Sequence, residues 1–167
     1  RAKWLLLAMA AAATIGFAVS ALIDIRRTGA PAALRTTAEA QWIGQSLRAA
    51  GFTPADGKIA SFTPLVVIDS GFDLDPRFAT GVFVFRSGDL RSDAELAAFH
   101  AISWRTLDAA FAAASPLAIV TGYEQRSPIN RKRFPDEALD DWAARHGYRR
   151  LTSPVDKAVL WLRPAPQ

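Results

Sequence analysis

The sequence predicts an α/β chain: one N-terminal transmembrane helix followed by a small three-layer α/β domain with a mostly parallel sheet. Three observations carry that expectation. Trp4 to Ile23 (WLLLAMAAAATIGFAVSALI) is twenty residues without a charge, and at roughly 1.5 Å per residue such a helix matches the hydrocarbon thickness of a bilayer. The chain from Thr36 to Gln167 is long enough for one core and not comfortably for two. Within it, short apolar runs alternate with capped amphipathic stretches, as strands and helices do when they take turns.

The division that follows is an anchor over residues 1–27, a linker over 28–35 and a soluble domain over 36–167. Arg1 and Lys3 flank the apolar run at one end, Asp24, Arg26 and Arg27 at the other, and Trp4 stands where an interfacial aromatic belongs. A cleaved secretory signal is the alternative, with Val19-Ser20-Ala21 as the small-residue cleavage site. Either way the domain is expected to be extracytoplasmic, attached to the inner (plasma) membrane if the helix is retained. Arg26, Arg27 and Arg35 run against that placement, because basic residues beside a span tend to stay cytoplasmic. The first residue is not Met, so the chain is read as processed or as part of a longer one.

Half of the residues are apolar, which predicts a packed fold rather than disorder. Lys and Arg number 20 against 16 Asp and Glu, and the resulting net charge of +4 is spread along the chain. No basic stripe interleaved with aromatics occurs, so no nucleic-acid partner is expected. The chain has no cysteine, which removes disulfides, thiolate metal sites and Cys nucleophiles together. His100 and His146 stand far apart without the paired spacing of a zinc site, so no metal and no cofactor is assigned.

The elements follow in order. Thr28 to Arg35 is a Gly/Pro linker. Thr36 or Thr37 caps a helix that carries Glu39 in its first turn, sets Ile43 and Leu47 on one face and closes at Gly51. Trp42 packs against the domain or an interface. Lys58 to Phe62 is a buried strand. Thr63-Pro64 opens a short helix, with a second strand over Leu65 to Ile68 as the alternative. Phe72 to Pro76 is a loop. Val82 to Phe85 (VFVF) is apolar throughout and is expected to be a strand covered on both faces. Ser92-Asp93-Ala94-Glu95 is a capping box that starts a helix, and a second one near Ser103 carries Leu107 and Phe111 until Pro116. Leu117 to Thr121 is the central strand, Pro135 opens an amphipathic helix with Leu139, Trp142 and Ala143 inward, and Tyr148 to Leu151 and Ala158 to Leu162 are the last strands.

Candidate chemistry is sparse. Glu124 follows the central strand and Gly122, at the sheet edge where ligands lie in open α/β folds. It is placed as a general acid or base would be, the plainer alternative being an ion pair with Arg126. Arg131-Lys132-Arg133 is a basic cluster able to hold a phosphate or an anionic lipid head group, or simply a solvated loop. Asp73-Leu74-Asp75 has the spacing of a divalent-cation pair, although Pro76 and Arg77 beside it favour an exposed turn. No Gly-x-Ser-x-Gly elbow and no phosphate-cradling Gly-rich loop is present.

With the apolar helix, the phrases AEAQWIGQSL, KIASFTP, DSGFDLDPRFATGVFVFR, LAIVTGYE, ARHGYRRL and AVLWLRP together resemble the extracytoplasmic C-terminal portion of polytopic GT-C glycosyltransferases that use polyprenyl-phosphate sugars, the mannosyltransferase and aminoarabinose-transferase type. The resemblance implies a non-catalytic, membrane-anchored domain that caps a membrane core belonging to the same polypeptide and approaches the lipid carrier. The catalytic carboxylate of that class sits in an early extracytoplasmic loop, so no catalytic residue maps onto this chain. Substrate contacts would fall to Glu124, Arg131, Lys132 and Arg133. Two other functions stay open: a single-pass protein whose domain is a binding or scaffolding module, and an exported hydrolase centred on Glu124.

Overall fold

In this computed structural model, which describes residues 14–20, 22–23, 32–124 and 134–164, four short strands form a sheet. They are β1 (Ile59–Ser61), β2 (Ala118–Thr121), β3 (Arg149–Thr152) and β4 (Val159–Leu162), in the order β1-β2-β4-β3. The helices are α1 (Ala32–Ala49), α2 (Pro64–Asp69), α3 (Val82–Ser87), α4 (Asp93–Ala98), α5 (Leu107–Ala113) and α6 (Pro135–Arg145). The chain divides into two units, Arg1–Thr37 and Ala38–Gln167, and the second holds the sheet.

The sheet is mixed, which corrects the expectation of mostly parallel strands. Only β1 with β2 runs parallel; β4 is antiparallel to both β2 and β3. The reason is the short turn from Ser153 to Ala158. A parallel crossover needs a dozen or more residues, so strands joined this tightly can only form a hairpin.

The expected membrane-spanning helix is also corrected. Among the described residues no helix is long and apolar enough to cross a membrane. Residues 14–20 and 22–23 are helical and their large apolar side chains are exposed. The rest of Trp4 to Ile23 lies outside the described residues. The transmembrane reading rested on that span, and the described residues do not support it.

Two apolar clusters sit on opposite faces of the sheet. On one face Ala60, Ile119, Val159 and Trp161 meet α3, α5 and α6 through Phe85, Phe111, Leu139 and Trp142. On the other, Ile59, Ala118, Val120, Leu160 and Leu162 meet α1 and α2 through Ile43, Leu47, Val66 and Val67. This double covering is why β2 and β4 are apolar at every position and buried throughout.

Several elements depart from expectation. Helix α1 begins at Ala32, inside the expected linker. The VFVF run is helical, not a strand: Val82 and Phe85, three apart, are buried while Phe83 is 77% exposed. Phe85 packs against Phe62 and Trp104 at ring distances of 4.6 and 4.8 Å. Burying one side of the run packs Phe85 against both rings, and that tertiary packing overrides the strand propensity of Val and Phe. The Ser92–Glu95 capping box forms as the sequence indicates, with Ser92 Oγ accepting the Glu95 N–H.

Three helices end in the same hydrogen-bond pattern with a left-handed residue after the cap. Gly51 and Gly147 take that position after α1 and α6, at φ 86 and 74. After α4 it is His100, at φ 51.

Candidate functional site

The site starts from the end of β2, where the chain must turn. Gly122 makes the turn at φ +104, and a Cβ there would overlap the Lys157 carbonyl. Only glycine meets both conditions. The turn brings Thr121, Tyr123 and the Gly122 and Glu124 N–H groups against three carboxylates from two helices.

Asp136, in the first turn of α6, accepts the Gly122 and Glu124 N–H groups on Oδ2, each at 2.8 Å. It is 6% exposed. Burial pushes its pKa above the ordinary carboxylate value and the nearby Asp140 charge adds to that, against the lowering effect of the backbone donors. Asp140, one turn further on, accepts from Thr121 Oγ1 at 2.6 Å and Trp161 Nε1 at 2.7 Å, both on Oδ1.

Glu39 reaches the same turn from α1 and is 1% exposed. Its Oε1 accepts the Ala158 N–H at 2.7 Å, and its Oε2 accepts the Tyr123 hydroxyl at 2.6 Å. Burial first, and then the hydrogen bond to Glu39, push the Tyr123 phenol far above its usual range. Lys157 Nζ lies 5.1 Å over the Tyr123 ring. Glu124 itself accepts from Arg86 Nη2 of α3 at 2.7 Å, a pair whose side chains are 27% and 53% exposed.

The residues singled out in the sequence therefore fare differently. Glu124 is ion-paired with Arg86, and Arg126, the partner considered for it, lies outside the described residues. So do Arg131, Lys132 and Arg133. No family model, curated protein or solved structure matches the chain.

Glu39 and Asp136, both buried, and the half-buried Asp140 were missed, yet each had a signal. Asp136 and Asp140 share the inward face of α6 with Leu139 and Ala143, and Glu39 is in register with Ile43 and Leu47, four and eight positions on. A carboxylate on the apolar face of an amphipathic helix is buried, and a buried carboxylate must find donors.

Away from this edge, Asp73-Leu74-Asp75 is extended and bridges β1 at Ile59. Asp75 accepts the Arg77 N–H and grips its guanidinium, which also donates to the Ala110 and Ala114 carbonyls at the end of α5. Asp75 is buried, 4% exposed, where an exposed turn was expected. Open depressions of about 410 and 300 Å³ share Arg77 in their walls, and neither reaches Glu124. His146 stacks on Trp142 at 3.9 Å with Nδ1 2.8 Å from the Trp142 carbonyl.

A general base needs a carboxylate oxygen within hydrogen-bond reach of a substrate proton. At this edge Asp136, Asp140 and Glu39 hold backbone, hydroxyl and indole donors, and Glu124 holds a guanidinium. The arrangement fixes the turn after β2 and the start of α6 as a rigid frame.

Proposed function

We propose that the chain is a non-catalytic accessory module that binds a phosphate-bearing ligand through the basic segment Arg131-Lys132-Arg133, beside catalytic groups it does not itself carry. The observation that supports this reading is the engagement of Glu39, Glu124, Asp136 and Asp140 in structural bonds. Carboxylates that keep the frame rigid are not available to move protons. The frame borders the basic segment on both sides: Glu124 precedes it, and the buried Phe134 and Asp136 follow it.

The composition of the segment supplies the ligand class. Gln125 to Arg133 contains Arg126, Arg131, Lys132 and Arg133 and no acidic residue, and clustered guanidinium and ammonium groups suit phosphate oxygens. The resemblance to polyprenyl-phosphate-dependent glycosyltransferases makes a polyprenyl phosphate the first ligand to try, with sugar transfer left to residues outside this chain. Nothing favours a hydrolase centred on Glu124, since its carboxylate is bound to Arg86.

The test is titration of the protein with a short-chain polyprenyl phosphate in detergent, followed by amide NMR, with inorganic phosphate alongside. Reversing charge at Arg131→Glu, Lys132→Glu and Arg133→Glu together is expected to weaken binding about tenfold or more while far-UV circular dichroism stays unchanged. Equal binding by the reversed protein, or none by the parent, overturns the reading.

A further inference from the structure

The ladder bonds show which way β3 faces. Arg163 N–H donates to the Leu117 carbonyl, so residues 159 and 161 of β4 bond toward β2 and residues 160 and 162 bond toward β3. Ser153 N–H donates to the Ala158 carbonyl in the same register, which gives Arg149 and Leu151 the bonds to β4. The N–H and C=O groups of Arg150 and Thr152 therefore point away from the sheet. β3 is the last strand in the order, and Arg149, Arg150 and Thr152 are exposed.

The opposite edge differs. Ile59 of β1 donates to the Asp73 carbonyl and accepts from Asp75 N–H, so the segment around Leu74 covers that edge. Among the described residues β3 is the edge left open.

Its side chains select what can add. Arg150 lies 5.9 Å over the Trp161 ring on one face of the sheet, and Arg149 projects from the other, since neighbours along a strand alternate. The Arg149 side chain makes no hydrogen bond or ion pair with the described residues. Antiparallel pairing with a second copy of β3 would crowd four arginines into one ribbon, and like charges across strands repel. An extended acidic segment meets the reverse condition: its backbone takes the four outward groups, and carboxylates on either face reach an arginine.

We propose that the β3 edge docks an extended, acidic segment of a partner protein by strand addition. Main-chain bonds to Arg150 and Thr152 supply the pairing, and Arg149 and Arg150 supply the preference for acid.

The probe is a capped peptide of alternating valine and glutamate, with the valine–lysine peptide as control, added to the whole chain and read by amide hydrogen exchange. The Glu peptide is expected to slow exchange at the Arg150 and Thr152 amides, and the Lys peptide to leave them unchanged. Thr152→Pro removes one outward N–H without touching a bond to β4 and is expected to weaken binding about tenfold. If that variant does not fold, Arg149→Glu with Arg150→Glu carries the same expectation. Reversing charge at 131–133 leaves this binding intact, which separates it from the phosphate reading. Equal binding of both peptides, no slowing at Arg150 and Thr152, or full binding by a folded edge variant overturns the proposal.

Discussion

The Tyr123 hydroxyl donates to Glu39 across 2.6 Å, and the same carboxylate takes the Ala158 N–H, so one side chain of α1 ties down both the turn after β2 and the start of β4. Glu39→Ala strands two buried donors and is expected to cost about 3 kcal/mol, whereas Tyr123→Phe removes one bond and costs about 1 kcal/mol. Urea unfolding of the two variants measures the difference; equal losses would show that Glu39 is not the hub.

Burial raises both tyrosines, Tyr148 to about 12 and Tyr123 beyond it. Their folded pKa values lie above the unfolded value of about 10, so the neutral phenols favour the fold, and that stability is present below the unfolded value and lost as pH rises through the folded ones. At pH near 11 the folded chain is expected to show little tyrosinate absorbance, and unfolding it in urea at the same pH to release the full signal.

Asp136 has the same sign at acid pH. Its folded pKa is raised, first by burial, so the folded state holds more protons than the unfolded one over a window beginning near pH 4. Stability from this group is complete below that window and declines as pH climbs through the folded pKa. Asp136→Asn keeps an oxygen that accepts both the Gly122 and Glu124 N–H groups. The variant is expected to lose that decline, seen by comparing denaturation midpoints across pH 3 to 7.

Gly122→Ala meets the Lys157 carbonyl and a left-handed backbone together. The expected loss is about 3 kcal/mol, read as a fall in the thermal midpoint. Gly51→Ala has the same backbone conflict but open space around it, and is expected to lose less, about 1 kcal/mol.

His100 holds a left-handed position that glycine holds after α1 and α6. His100→Gly relieves that strain and is expected to stabilise the protein by about 1 kcal/mol. A destabilised variant would show that the imidazole makes a contact worth more than the strain.

What could be read in the sequence was what local chemistry decides. The Ser92–Glu95 box, Pro at the starts of α2 and α6, and the burial of Leu139, Trp142 and Ala143 depend on residues a few places apart. Strand direction was within reach, since the short Thr152 to Ala158 connection already implied a hairpin. The helix at Val82 was not: its side chains suit a strand, and only Phe62 and Trp104, brought there by the fold, decide otherwise. At the β2 edge, Glu124 was visible by its place after the strand, but its partner Arg86 is 38 positions away. Pairings at that distance leave no mark on local pattern.

The Glu39–Ala158 bond joins positions 119 apart, and β1 finds its partner β2 only after the α2 to α5 crossover has been made. Such closures cost chain entropy before any contact rewards them. As the chain leaves the ribosome, α1 waits with Glu39, Ile43 and Leu47 uncovered until β4 has emerged, and assembly proceeds only when most of the domain is present. The folding of this protein is therefore expected to be slow for its size and to fail as a unit when β4 is lost, with no stable amino-terminal half to fall back on.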